Sequence, residues 1–427
     1  MRRVSILLSI IGLALPMALA AQLSLPLPTA PVGDVASRVT GGLTGDLIER
    51  LPRTDVVYRL ADARIARLRE LVRAHGDSIE IDDAGQPAVR GRLVVIGADA
   101  ATLDRARADG FGVAAEETVE GLDVHFATLS APRGMSLTRA IRRLRKLAPN
   151  AEVSADPLHE VSGAGLGGPG LGGTGLDAGA PLAQPGGGRA GGTIGLIDGG
   201  VARHPALTGD IEQRGFATGA PRASDHGTAV ASLMVGRGAI AGPAGGTRLL
   251  AADVYGNDPA GGNATAIARA LGWLTVSGVR VVAISLVGPR NPLLARIVAA
   301  AQKRGVRIVA AVGNDGPAAP PAFPASYPGV IAVTGVDAKN RALIEAGRSL
   351  HLDFAAPGAD MLAARTNGGV MAVRGTSFAT PLAAARLLRL GGDVAALAAQ
   401  AQDLGRKGPD SVYGRGLVCG DCRTPKR

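Results

Sequence analysis

Thr193-Ile194-Gly195-Leu196-Ile197-Asp198 is a mostly apolar run that closes on a carboxylate. Comparable apolar runs occupy 281–286, 308–312 and 330–333, and the stretches 264–276 and 293–303 between them are helical in composition. Strands that read as continuous apolar runs are buried on both faces, and strands alternating with helices form a parallel sheet. The pattern predicts an α/β fold: a doubly wound, mostly parallel sheet with helices on both faces. Such sheets bind ligands beyond the carboxyl ends of their strands, which is where Asp198 stands.

Around this segment the 427 residues carry 46 Lys and Arg against 36 Asp and Glu, 46% hydrophobic residues, 19% charged residues and two cysteines. That is too apolar for a disordered chain and too poor in cysteine for a disulfide scaffold. The 62 glycines follow no Gly-X-Y period, which excludes collagen. An aromatic content of 3% argues against carbohydrate platforms and single-strand nucleic-acid surfaces. The net charge of +10 is spread thinly, with a dense basic stretch only at 139–146, so no nucleic-acid partner is expected. At about 100–200 residues per domain the length allows two or three domains.

Six segments follow along the chain. Residues 1–20 read as a signal peptide: Arg2 and Arg3 precede an uncharged apolar run that ends on Ala18-Leu19-Ala20. The run is short for a membrane span and contains Pro16, so no stable span is expected after cleavage. The protein is therefore expected to be exported, either periplasmic or secreted. Residues 21–90 form an N-terminal helical pro-region, in which 56–74 carries a stripe of Leu60, Ile65, Leu68, Leu71 and Val72 with arginines elsewhere. Residues 91–160 run β-α-β-β-α-β, a small α+β ferredoxin-like module. Residues 161–192 are a Gly/Pro-rich linker, 193–418 the α/β domain, and 419–427 a tail with Cys419-Gly420-Asp421-Cys422. Residues 21–160 hold 18 basic and 20 acidic side chains, whereas Val161 onward holds 26 and 16, so opposite charge favours docking of the two parts.

Four short segments at strand ends or helix starts carry the chemistry. They are Ile197-Asp198-Gly199-Gly200, Asp225-His226-Gly227-Thr228, Gly313-Asn314-Asp315-Gly316 and Gly375-Thr376-Ser377-Phe378-Ala379-Thr380-Pro381. A serine hydroxyl attacks a carbonyl only if a neutral imidazole takes its proton. A carboxylate on the far ring nitrogen sets the tautomer, and a donor must meet the oxyanion. Ser377, His226, Asp198 and Asn314 supply one residue of each kind. Singly, each segment also reads as a turn or a helix cap.

In the order Asp-His-Ser, and in these motifs, the chain resembles the subtilisin-like serine proteases. The resemblance runs from about Thr193 to Val418. It implies a serine endopeptidase with Asp198, His226 and Ser377 catalytic, Asn314 at the oxyanion, and Ser285-Leu286-Val287-Gly288 lining the substrate groove. It also implies protein or peptide substrates. The ferredoxin-like module resembles the family's inhibitory propeptide, which makes the chain's own propeptide a partner and the chain a zymogen cut near the Gly-rich linker.

Two departures stand out. Gly199 replaces the family's Ser or Thr and removes a hydroxyl that would bond Asp198; Val287 replaces a glycine and adds a branched wall to the pocket. Ala379 excludes the G-x-S-x-G elbow of an α/β-hydrolase, and no H-E-x-x-H occurs. No cofactor or metal is expected. Family members often bind calcium, but the dispersed carboxylates mark no calcium loop. Behind a signal peptide, Cys419 and Cys422 read as a local disulfide ahead of a metal or redox pair. The alternatives are a catalytically inactive subtilisin-like binding module, which would need a lost triad member, and an adhesin built on the glycine-rich tract.

Overall fold

The computed structural model describes residues 53–161 and 192–424. The signal peptide expected at 1–20, the pro-region before Arg53 and the linker at 162–191 lie outside the described residues.

The first part comprises α1 (Arg53–Ala74), β1 (Ile79–Ile81), β2 (Pro87–Ile96), α2 (Ala100–Ala108), β3 (Gly112–Val119), β4 (Val124–Ser130), α3 (Leu137–Leu147), β5 (Glu152–Pro157) and the two-residue β6 (Glu160–Val161). From β2 to β5 this is the expected β-α-β-β-α-β order. The antiparallel sheet runs β5-β2-β4-β3, and β1 pairs with the start of β2. β2 reaches back to Pro87, well before the start expected at Leu93. Its register with β5 shifts between Ala88 and Leu93, and Gly91 has φ +63°, so the alternation that would have marked a longer strand is broken there.

The second part is β7 (Thr193–Asp198), β8 (Ile211–Gly215), α4 (Asp225–Val235), β9 (Arg248–Asp253), α5 (Ala264–Val276), β10 (Val281–Ile284), β11 (Leu286–Val287), α6 (Pro292–Lys303), β12 (Arg307–Ala311), β13 (Ile331–Val336), β14 (Phe354–Pro357), the hairpin β15 (Ala359–Ala364) and β16 (Val370–Arg374), α7 (Thr376–Arg389) and α8 (Val394–Ala399). Seven parallel strands lie in the order β14-β13-β12-β10-β7-β9-β8. Leu196, Ala251, Ala283 and Val309 face α4 and α7, whereas Ile197, Ala252, Ile284 and Ala310 face α5 and α6. Both faces are covered, which is why the strands carry unbroken apolar sequence.

The same logic explains Leu93-Val94-Val95-Ile96. Leu93 and Val95 pack with Leu103, Ile141 and Leu144 of α2 and α3, while Val94 and Ile96 join Ile267, Leu271 and Ile297 of α5 and α6. One face of the small sheet is thus shared with the large domain. Buried Asp156 of β5 accepts from Thr265 N–H at 3.0 Å and Thr265 Oγ1 at 2.7 Å, filling the donor-rich start of α5.

Helix α1 departs from its expected stripe at Ile65, while Leu60 is buried and Leu71 and Val72 pack with Ile79 and Val89. Ile65 is 44% exposed, and the packed face runs through Val56, Leu60, Arg64 and Arg67 at helical spacing. Two arginines lie on that face because they meet carboxylates across it.

Candidate active site

Asp198 ends β7 with its side chain fully buried. Burying a carboxylate is costly unless it is bonded, and this one accepts from Gly199 N–H at 2.7 Å and from His226 Nδ1–H at 2.9 and 3.0 Å. The backbone amide of Gly199 therefore bonds Asp198 where the sequence suggested a missing hydroxyl. His226 is the second residue of α4, whose start is closed by Ser224 accepting from Gly227 N–H at 3.0 Å.

Ser377 is the second residue of α7 and is buried. The preceding Gly375 has φ +141°, and a β-carbon there would stand 2.9 Å from Asn314 Nδ2. Only glycine allows the strand-to-helix turn to sit so close to that amide. Asn314 Oδ1 accepts from Thr376 N–H at 2.9 Å, while the Thr376 hydroxyl accepts from Gly313 N–H at 3.1 Å and donates to Gly313 O at 3.2 Å. These bonds tie the asparagine loop to the serine helix. Ser377 Oγ and His226 Nε2 are both buried without a hydrogen-bond partner, and the His226 ring packs on Phe378 with centroids 5.3 Å apart. Buried polar atoms are normally paired, so these two unpaired groups make Ser377 and His226 the candidates for proton transfer.

The groove residues are adjacent. Ser285 Oγ donates to the Ser377 carbonyl at 3.0 Å, and Gly288 exchanges backbone bonds with Phe323. Leu286 and Val287 form β11. A β-carbon on Gly313 would lie 3.4 and 3.7 Å from the two Val287 methyls, so that side chain points across the groove toward the asparagine loop. Asp198, His226, Asn314, Ser377 and Ser285–Gly288 all gather at the carboxyl end of the sheet.

The sequence reading missed what occupies this groove. β6 pairs antiparallel with β11, Val161 opposite Leu286 and Glu160 opposite Val287. His159 N–H donates to Gly262 O at 2.8 Å, and His159 O accepts from Tyr255 Oη at 2.7 Å. The His159 ring is fully buried with neither nitrogen paired, and burial lowers its pKa to about 4. A β-carbon on Gly288 would come within 2.5 Å of this ring. A two-residue strand carries no periodicity, so no local signal marks it. Arg64 and Arg67, one turn apart in α1, were the available clue. Among the described residues, one group of three side chains could hold a metal ion, Cys419, Asp421 and Cys422, and its two sulfurs are bonded to each other.

The family model for the subtilase family matches residues 189–403, half of the chain. The chain belongs to the subtilase family. This subtilase is 32% identical to subtilisin BL of Lederbergia lenta over 202 residues, 45% of this chain and 73% of that protein. It is 29% identical to subtilisin of Bacillus pumilus over 246 residues, 53% and 88% of the two chains. Fervidolysin from Fervidobacterium pennivorans, a keratinolytic enzyme, shares the fold with a TM-score of 0.61 at 21% identity, over 78% of this chain and 61% of that one. The subtilase is accordingly a serine endopeptidase. No helix among its described residues is long and apolar enough to cross a membrane.

Proposed function

We propose that this subtilase hydrolyses peptide bonds with Ser377 as nucleophile, His226 as general base, Asp198 as the carboxylate orienting His226, and Asn314 as oxyanion donor. The observation that carries the reading is the Asp198–His226 bond at 2.9 Å, together with the buried, unpaired Ser377 hydroxyl and His226 Nε2. Ser377 Oγ bonds to the scissile carbonyl carbon and its proton passes to His226 Nε2. The developing oxyanion is met by the Asn314 amide. As the C–N bond breaks, His226 returns the proton to the leaving amine; water then releases the acyl group by the same route. No cofactor enters this scheme.

The reading extends to maturation. The chain is exported as a precursor, residues 53–161 act as its inhibitory pro-region, and the active site cuts its own chain near the Gly-rich linker. The pairing of Glu160–Val161 with Leu286–Val287 supports this, because an extended peptide adding to a sheet edge is how such a groove binds substrate. A serine-directed phosphonate should label wild-type protein at Ser377 and fail on Ser377→Ala, which should also stay uncut. Processing of pure Ser377→Ala in vitro would overturn self-cleavage, and labelling elsewhere would overturn the nucleophile. Sequencing the N-terminus of the mature enzyme locates both cuts.

A further inference from the structure

Arg374 ends β16, three residues before Ser377, and pairs with Glu345 in the loop that follows β13. The Glu345 side chain is fully buried and that of Arg374 is 28% exposed. Arg374 Nη2 donates to Glu345 Oε2 at 2.9 Å, and Nε lies 2.8 Å from Oε1, charge-paired but off the line of a hydrogen bond. A carboxylate buried this deeply is costly without its partner, so the two side chains hold together as a unit.

The backbone around Glu345 grips the asparagine loop. Glu345 O accepts from Gly316 N–H at 2.9 Å, and Gly347 N–H donates to Gly313 O at 2.7 Å. A β-carbon on Gly347 would stand 2.3 Å from Val312 O, so the two loops lie backbone against backbone. On its other side Asn314 is held by Thr376 N–H at 2.9 Å, two residues after Arg374. The Glu345–Arg374 pair therefore closes a circuit that runs from the asparagine loop through Glu345 to the serine turn and back. The Thr376 bonds alone would leave a hinge about which that turn could rotate, and a second tie through Glu345 stops the rotation. An oxyanion donor is effective only if it already stands at hydrogen-bond distance from where charge will develop. We infer that Glu345 is a positioning residue for catalysis: through Arg374 it sets the Asn314 amide against the Ser377 hydroxyl. The inference rests on the proposed roles of Ser377 and Asn314. Both members of the pair lie outside the motifs that carry the catalytic residues, and Glu345 is too deeply buried to reach substrate.

The test measures turnover and thermal melting of enzyme matured from the full chain. Glu345→Gln should lower kcat about tenfold with KM within about twofold, short of the roughly 10²–10³ expected when an oxyanion asparagine itself is lost. In an Asn314→Ala background the same change should cost less than about twofold, because the donor it positions is gone. Equal losses with and without Asn314 overturn the inference. Removing one partner of a buried pair can unfold a protein, so a second variant removes both. Glu345→Leu with Arg374→Met leaves no orphaned charge and should still melt cooperatively, yet lose kcat about tenfold. Wild-type turnover in that double variant would mean that the pair only supports the fold, and would overturn the inference as well. Wild-type turnover that a serine-directed phosphonate leaves untouched would instead sink the functional reading and the inference with it.

Discussion

Gly199 and Ser224 are in such close contact that a β-carbon on Gly199 would lie 2.4 Å from the Ser224 hydroxyl oxygen. Ser224 is the N-cap of the helix that carries His226. The side chain that the family resemblance implied at position 199 would thus meet Ser224, and the Gly199 amide bonds Asp198 instead. Gly199→Ser should displace the cap and cost about 1–3 kcal/mol, the usual range for overpacking. Urea denaturation would measure it. A gain in stability, with faster turnover, would mean that the site relaxes to accept the family's residue.

Asn314→Ala should lower kcat with little change in KM, because the amide is needed most when the oxyanion forms. The expected loss of about 10²–10³ is taken from the corresponding asparagine of a subtilisin rather than derived from this geometry. Thr376 N–H would also lose its acceptor at the start of α7, destabilising the fold by about 1 kcal/mol. Steady-state kinetics with a thermal melt separates the two effects. A change confined to KM would count against the oxyanion role.

Val287 points toward Gly313 and narrows the groove. Small apolar residues such as Ala, Val or Leu immediately before the scissile bond should be cut faster than Phe or Tyr, since a ring forced against the valine costs on the order of 1–3 kcal/mol. Val287→Gly should recover part of the aromatic cleavage. A peptide library profiled on both enzymes decides the matter, and a wild-type preference for Phe or Tyr would refute the pocket account.

Docking of the tail formed by residues 159–161 against β11 should weaken in acid. His159 has a pKa of about 4 when buried, against roughly 6.5 when free. As pH falls from about 6.5 to 4, the released tail takes up a proton that the docked tail refuses. Docking loses at most about 3 kcal/mol over that window and nothing further below it. Asp156 works in the opposite sense: burial raises its pKa, so its protonation favours the docked form as pH falls. Amide exchange at residues 159–161 in full-length Ser377→Ala, corrected for intrinsic rates, should reveal the His159 slope. His159→Phe should abolish it, and an identical slope in that variant would assign the effect elsewhere.

The sequence alone determined the parallel α/β sheet, because strands buried on both faces leave continuous apolar runs such as Thr193–Ile197 and 308–312. It also determined the residue types at Asp198, His226, Asn314 and Ser377, since strand ends and helix starts are set by local pattern. Edge strand β8 escaped notice because Ile211-Glu212-Gln213-Arg214-Gly215 is only half covered and mostly polar. Only the tertiary structure decided which face of α1 is packed, that the Gly199 amide bonds Asp198, and that Glu160 lies against Val287 with Arg67 and Asp315 beside it. Local periodicity records which side chains seek burial or exposure. It does not record which charges and backbone edges meet across a hundred or more residues, because those partners are chosen by packing of whole elements.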